Sequence, residues 1–110
     1  MRSLALLLLL AGCAEAGDDA TFCTDAPLST WENHGAGYVV ENCRACHHPE
    51  AADRQGAPAG VDFVTEDDVL ERRDRVLAVA TGASPSMPPG GGTDGDARYR
   101  FEVWLRCDAP

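Results

Sequence analysis

Three segments of the chain carry apolar residues at the spacing of one helix face, with polar residues between them. The first segment is preceded by Ser29 and Glu32, which have the spacing of a capping box, and it ends just before Cys43. The residues predicted to share one side of this helix are Trp31, Gly35, Tyr38, Val39 and Asn42. Because glycine costs about 1 kcal/mol in a helix interior, we expect Gly35 or Gly37 to serve close packing.

A second helix is predicted from Thr65, a capping residue followed by three acids where the helix dipole favours negative charge. Its predicted face comprises Val69, Arg73, Val76, Leu77 and Ala80, and Gly82 is expected to end it. A third helix is predicted from Thr93, with a face formed by Ala97, Phe101, Trp104 and Leu105 and with Asp94 and Asp96 in its first turn. No strand pattern of useful length occurs, so the predicted fold is all-α, with about three main helices and long loops.

The chain opens with one positive charge and an apolar run over residues 4–11, far shorter than the roughly 20 residues of a membrane-spanning helix. Such a run predicts an export signal. The segment that ends it, Leu10-Ala11-Gly12-Cys13, resembles the bacterial lipoprotein box, which implies that Cys13 is lipidated and begins the mature chain. An ordinary signal peptide with a chance cysteine is the alternative. We therefore expect a signal peptide at 1–12, an acidic flexible tether at 13–22 and one domain at 23–110.

The charge balance narrows the set of partners. Eighteen acidic residues face nine basic ones, all of them arginine, and the net charge is −9. This argues against nucleic acid as a partner and predicts proteins with basic docking patches. Attachment to a membrane would depend on the lipid at Cys13, which places the protein in the bacterial cell envelope, facing the periplasm. Ala14 instead of aspartate after that cysteine slightly favours the outer membrane, by resemblance to enterobacterial lipoproteins.

The candidate chemistry lies in Cys43-Arg44-Ala45-Cys46-His47. Two thiols at this spacing can add to the two vinyl groups of a haem while the histidine that follows them ligates the iron. A zinc site, a redox dithiol and a local disulfide are the alternatives for a Cys-x-x-Cys pair. Zinc needs two further ligands at metal-site spacing, and a redox dithiol normally lies in a βαβ pattern; the sequence has neither. One covalently bound haem c is therefore the predicted cofactor.

Around this motif the chain resembles the class I c-type cytochromes, which carry one haem. Gly35 lies eight positions before Cys43 and Val39 four positions before it, where the family has a glycine and a bulky apolar residue, more often an aromatic. Trp104-Leu105 stands where the family shows an aromatic-leucine pair in its last helix. The resemblance implies a cytochrome c-like fold around one haem, with the aromatic residue of the last helix close to the glycine of the first.

The resemblance also implies a second iron ligand. Met87, forty residues after His47 and followed by proline, occupies the position of the family's sixth ligand, with His34 as the alternative. A backbone carbonyl in the proline-containing loop near 57–58 is expected to accept the Nδ1 hydrogen of His47. His48 follows His47 directly and is expected to face solvent, because it cannot reach the opposite side of the haem ring.

Two cysteines, Cys23 and Cys107, have neither a lipid nor a haem assigned to them. Because the cell envelope outside the cytoplasm is oxidising, we expect an exported pair of this kind to form a disulfide. The bridge would join the entry of the first helix to the exit of the last, the two helices that cross in class I cytochromes.

From these features we expect a monomeric protein that carries single electrons between redox proteins of the envelope. We expect it not to be an enzyme itself, and a subunit of a redox complex is the alternative. No catalytic Ser, His or carboxylate arrangement stands out in the sequence. Two alternatives stay open at this point. One is a small haem enzyme or sensor with a labile sixth site, peroxidase-like or gas-binding. The other is a structural lipoprotein without haem, stapled by its disulfide.

Overall fold

A computed structural model describes residues 19–110, and within this range the chain forms helices and no strand, which confirms the all-α prediction. The helices are α1 (Asp19–Cys23), α2 (Ala36–Asn42), α3 (Glu66–Leu70), α4 (Arg73–Ala80) and α5 (Gly95–Val103), with π-helical turns at Trp31–Gly35 and Trp104–Asp108. No helix in the described range is long and apolar enough to cross a membrane. The predicted signal peptide, Cys13 and the tether up to residue 18 lie outside the described residues.

The first predicted helix is present, but its cap is one residue later than predicted. Thr30, not Ser29, is the N-cap: its hydroxyl accepts from Asn33 N at 3.0 Å, and the Asn33 side chain accepts from Thr30 N at 2.8 Å. Ser29 is instead fully buried and donates its hydroxyl to the Arg100 carbonyl at 2.7 Å. The serine therefore joins the start of this helix to α5, a long-range contact that local spacing cannot reveal.

The second predicted helix is divided into α3 and α4. Thr65 caps α3 as predicted, in a capping box with Asp68. The division lies at Arg72, where the backbone amide bonds to the Val69 carbonyl at 3.0 Å, three residues back, and φ and ψ are −114° and 21°. This tightened turn closes α3, and α4 then continues to Ala80. Thr81 is already extended, with φ and ψ of −129° and 177°, so the helix ends one residue before Gly82, which follows in a left-handed conformation with a φ of +82°.

The third predicted helix begins at Gly95, two residues after the predicted start at Thr93, because Asp94 is its cap and not a residue of its first turn. The Asp94 carboxylate accepts from Ala97 N at 3.0 Å, and α5 runs from Gly95 into the π-helical turn that ends the chain's helical structure. Three residues of its predicted face, Phe101, Trp104 and Leu105, are at most 1% exposed. They form the centre of the hydrophobic core.

Helices α2 and α5 pack closely through aromatic side chains. Tyr38 stacks on Phe101 with ring centroids 4.4 Å apart, and Trp104 lies against Gly35. A Cβ atom at Gly35 would lie 3.2 Å from Trp104 Cε3 and 3.0 Å from Trp31 Cε3, closer than side chains normally approach. A side chain at Gly35 would therefore require the tryptophan rings to shift by a few tenths of an ångström, and the expected close approach of Trp104 to Gly35 is confirmed.

The ends of the described chain are fastened to each other. Cys23 and Cys107 form a disulfide, with Cα atoms 5.7 Å apart. Beside it, Arg106 donates to Asp19 at 2.7 Å and lies over the ring of Phe22 at 3.8 Å. Residues 19–22, which the sequence assigned to a flexible tether, thus belong to α1, because these contacts hold them against the C-terminal turn.

Candidate cofactor site

A cavity of about 460 Å³ lies between α2, α4, α5 and the loops that connect them. Its volume falls within the roughly 300–1,000 Å³ of small-molecule and cofactor sites. Most of its wall is apolar, and the apolar side chains are Tyr38, Val39, Val61, Phe63, Val69, Val76, Val79, Ala80 and Phe101. Cys43, Cys46, His47 and Met87 line the same cavity. The four residues that the sequence analysis singled out are therefore brought to one site.

Both thiols follow directly from the end of α2. The Cys43 amide closes the last turn on the Val39 carbonyl at 2.9 Å, and the Cys43 carbonyl then accepts from the amides of Cys46 at 3.2 Å and His47 at 2.9 Å. This single turn presents Cys43, Cys46 and His47 to the cavity. Both cysteines are free thiols, so the local disulfide left open by the sequence is not formed.

The protonation state of Cys43 matters for the two other interpretations of a Cys-x-x-Cys pair, a redox dithiol and a zinc site. Burial raises the pKa of the Cys43 thiol to about 11, so it stays neutral at physiological pH. Redox dithiols and zinc ligands act as thiolates, and catalytic dithiols lower the pKa of a cysteine. Among residues 19–110 no group of three His, Cys, Asp or Glu side chains is arranged to hold a metal ion.

His47 is held by a hydrogen bond from its ring. Its Nδ1 lies 2.7 Å from the Val61 carbonyl oxygen. A carbonyl can only accept, so Nδ1 carries a proton, and in the neutral ring Nε2 then has the free lone pair. The ring also packs against Phe63, at 5.0 Å between centroids, and the Phe63 amide donates to the His47 carbonyl at 2.8 Å. These contacts fix the orientation of the His47 ring.

The carbonyl that accepts from His47 belongs to Val61, three residues after Pro58. Pro58 begins a turn that is closed by a bond from Val61 N to the Pro58 carbonyl at 3.1 Å. This turn brings the chain back towards the histidine, so the carbonyl after the turn, that of Val61, reaches the ring. The sequence predicts a carbonyl of the proline-containing loop near residues 57–58 without a choice of residue, and the structure supplies that choice.

Arg54 holds this loop together, and sequence reasoning missed it. Its guanidinium donates to the carbonyls of His48 at 2.8 Å, Ala57 at 3.2 Å, Pro58 at 2.7 Å and Val61 at 3.2 Å, and to the Asp62 carboxylate at 2.6 Å. One arginine in a polar stretch gives no sequence signal of such a role, because its acceptors are backbone atoms.

Met87 enters the cavity from the opposite connecting segment, residues 81–92. The amides of Ser86 and Met87 both donate to the Val79 carbonyl, at 2.8 and 2.9 Å, which fastens the segment to the end of α4. The Met87 side chain is 37% exposed. Its thioether is a soft donor of the kind that binds haem iron opposite a histidine.

The two other histidines lie outside the cavity wall. His34 Nε2 donates to the Ala97 carbonyl at 2.8 Å and so joins the π-helical turn before α2 to α5. His48 Nδ1 accepts from Glu50 N at 3.1 Å, within its own turn. His34, the alternative ligand in the sequence analysis, is therefore engaged elsewhere in the fold.

Positive charge is concentrated at the cavity of this acidic protein. Three arginines, Arg54, Arg72 and Arg75, are among its lining residues. Arg72 makes one long bond, to the Gly60 carbonyl at 3.4 Å. The site therefore combines an apolar wall, two thiols, a histidine and a thioether with three arginines, of which Arg54 is paired with Asp62.

Comparisons of the chain with protein-family models, with curated proteins and with solved structures found no match. The functional assignment accordingly depends on the chemistry of the residues at this cavity.

Proposed function

We propose that this protein is a monohaem cytochrome c of the class I type, anchored to the bacterial envelope through Cys13, which carries single electrons between redox proteins. The observation that carries the proposal is that Cys43, Cys46, His47 and Met87 line one apolar cavity. In sequence, these residues are separated by up to 44 positions. The expected cytochrome c-like arrangement of helices is part of the same proposal.

The residues present at the cavity fit a covalently held haem. Cys43 and Cys46 are free thiols one turn apart, as attachment to two vinyl groups requires. His47 has its Nδ1 occupied by the Val61 carbonyl and its Nε2 available. Met87 would supply the ligand on the other side of the ring. Haem, when bound, supplies a one-electron couple between ferrous and ferric iron.

The protein would tune that couple in two opposing ways. The hydrogen bond from His47 Nδ1 to Val61 makes the imidazole a stronger donor, which favours the ferric state. Ligation by Met87 and the apolar wall act in the other direction, because a thioether and a low dielectric disfavour the extra positive charge of ferric iron. We expect a positive shift to dominate, since methionine-histidine ligation raises the potential of cytochromes c.

The exterior suits transient encounters with basic partners. With a net charge of −9, the chain would be steered to positive docking patches, and such association weakens as salt screens the charges. In this role no side chain has to catalyse a reaction. The cavity residues only hold and orient the cofactor, exclude water and set its potential.

The test is expression of the full chain in a bacterium that has a cytochrome c maturation system, followed by mass and absorption measurements on the mature protein. We expect a mass increase of one haem, an acylated Cys13 and an absorption spectrum typical of haem c. The double variant C43S/C46S should lose covalent haem. The matched control C23S/C107S, which also removes two cysteines, should retain it. A wild-type protein without covalent haem would refute the proposal.

A disulfide-stapled structural lipoprotein without haem is the second candidate. The observation that favours it is the Cys23–Cys107 bridge, which stabilises the fold without any cofactor. The same mass measurement separates the two candidates. A mature protein with lipid and disulfide but without haem, folded to the same helical content, would support this second function.

A further inference from the structure

Arg54 uses all of its hydrogen-bonding capacity on one loop. A guanidinium has five N–H donors. In Arg54 the single Nε donor bonds to Ala57, the two Nη1 donors bond to His48 and Asp62, and the two Nη2 donors bond to Pro58 and Val61. The side chain is only 23% exposed. Four of its five acceptors are backbone carbonyls, so this arginine fixes the path of the main chain between 48 and 62.

One of these acceptors is shared with His47. The Val61 carbonyl accepts from Arg54 Nη2 at 3.2 Å and from His47 Nδ1 at 2.7 Å. A carbonyl oxygen has two lone pairs and can accept both bonds. The position of this oxygen relative to the histidine ring is therefore coupled to the arginine.

The other hydrogen bonds of the loop are short-range turns, such as that from Val61 N to the Pro58 carbonyl, and one long bond from Arg72 to the Gly60 carbonyl. Among residues 48–60 no side chain is buried, so apolar packing does not fix this segment. The Asp62 carboxylate, 20% exposed, binds Arg54 at 2.6 Å and balances its charge close to the cavity. The ion pair thus anchors the guanidinium at one side while its other donors hold the carbonyls.

We infer that Arg54 is a positioning residue for the iron ligand: it holds the Val61 carbonyl over His47 Nδ1 and thereby sets the donor strength of that imidazole. The inference rests on the proposed function, because it assigns the histidine to iron. Arg54 acts through Val61 and His47. When the carbonyl moves away, the Nδ1 hydrogen is less polarised, the imidazole donates less and the ferric state is less favoured.

The chain offers a matched control in Arg98. This arginine is partly buried in α5 and donates to the Thr93 hydroxyl at 3.0 Å, and it does not line the cavity. Lysine keeps the positive charge at either position and loses the planar fork that serves several acceptors. Arg54→Lys and Arg98→Lys therefore make the same chemical change, and only the first removes a donor to the Val61 carbonyl.

The experiment compares both variants with the wild type as haem-loaded proteins, by reduction potential and by the solvent exchange rate of the His47 Nδ1 hydrogen in ¹⁵N NMR spectra. In Arg54→Lys we expect a higher potential and exchange about tenfold faster, as for the loss of one hydrogen bond. Arg98→Lys should keep both values near those of the wild type. If the two variants behave alike, the inference is wrong.

A second variant covers the case in which Arg54→Lys does not load haem. Asp62→Asn leaves the arginine in place but weakens the ion pair that anchors it. We expect the exchange of the His47 hydrogen in this variant to be faster than in Arg98→Lys, and an equal rate would overturn the inference. A wild-type protein without covalent haem would instead overturn the proposed function itself, so the two failures are distinguishable.

Discussion

The two halves of this protein are held by different forces. Where α2 and α5 pack together, stability comes from burial: Val39, Phe101, Trp104 and Leu105 are each at most 1% exposed, and Gly35 lets the helices approach closely. The segments that flank the cavity, residues 48–60 and 82–92, have no buried side chain. The conformation of these two segments is held by hydrogen bonds that arginine side chains and backbone amides donate to backbone carbonyls.

Because they are held by different forces, the packing of α2 against α5 and the cavity segments have different roles. The packing of α2 against α5, here called the helix crossing, has Trp104 and Leu105 at its centre, and these two side chains do not line the cavity, although Val39 and Phe101 contribute to both. The cavity segments, in contrast, meet across a space of about 460 Å³. A bound cofactor would give those segments the apolar surface that they lack. We therefore expect damage to the crossing to unfold the whole domain, and damage at the cavity to change the cofactor's properties with smaller effects on unfolding.

The largest effect is expected from Trp104→Ala at the crossing. Trp104 is 1% exposed and packs on Gly35 and Trp31, so its removal should lower the free energy of unfolding by about 3–5 kcal/mol. Urea denaturation followed by circular dichroism measures this loss. Val40→Ala, on the exposed side of α2, is the control and should change the value by less than about 0.5 kcal/mol. Similar losses for both variants would contradict the assignment of the core.

Removal of the disulfide comes next. The bridge joins residues 84 positions apart, and C23S/C107S should lower the free energy of unfolding by about 2–4 kcal/mol. The haem absorption spectrum should stay unchanged, because the bridge lies near the ends of the described range and its cysteines do not line the cavity. Urea denaturation and spectra of the same samples test both statements. Altered iron ligation in this variant would mean that the halves are not separable in the way proposed.

Met87→Ala affects the cavity half. Loss of the thioether should lower the reduction potential by on the order of 0.1 V, equivalent to about 2.3 kcal/mol per electron. The far-red sulfur-to-iron band of the ferric protein should disappear, and the reduced variant should bind carbon monoxide. Ser86→Ala, in the same segment, keeps the two amide bonds to Val79 and should behave as the wild type. If the reduced wild type binds carbon monoxide equally well, the haem enzyme or sensor with a labile sixth site is the better function.

The helices and the core could largely be predicted from the sequence, because both follow from local periodicity and capping chemistry. Phe101, Trp104 and Leu105 occupy the predicted face, and Thr65 caps α3. Details set by distant contacts could not be predicted. Ser29 has the spacing of a cap residue, yet its hydroxyl bonds to Arg100, 71 positions away, and Thr30 takes over the cap.

In the candidate site, too, some features could be predicted from the sequence and others could not. Its chemical side chains, Cys43, Cys46, His47 and Met87, are visible in the sequence because their residue types and spacing are specific. The groups that orient them are not, because they are backbone carbonyls and an arginine that recognises carbonyls by position. Neither the Val61 oxygen nor its contact with Arg54 has a signature in residue type.

The smallest effect is expected at the start of α3, where a pH dependence can be tested without the cofactor. The Asp68 carboxylate accepts from the amides of Thr65 and Val64, at 2.8 and 2.9 Å, and these bonds lower its pKa. A group whose pKa is lower in the folded state stabilises the fold above its unfolded pKa, and this contribution is lost as the pH falls through the folded value. Asp68→Asn should therefore cost roughly 0.5 kcal/mol at neutral pH, at the low end for capping contacts because the site is open to solvent.

That cost should shrink when urea denaturation is repeated below about pH 4, since the wild-type carboxyl is then increasingly protonated. Asp67→Asn is the control, because the Asp67 carboxylate makes none of these amide bonds among the described residues although it lies in the same turn. A pH-dependent loss confined to Asp68→Asn would show that the contribution comes from the cap. An equal loss in both variants would assign it to the helix dipole, which acts on every acid of the first turn.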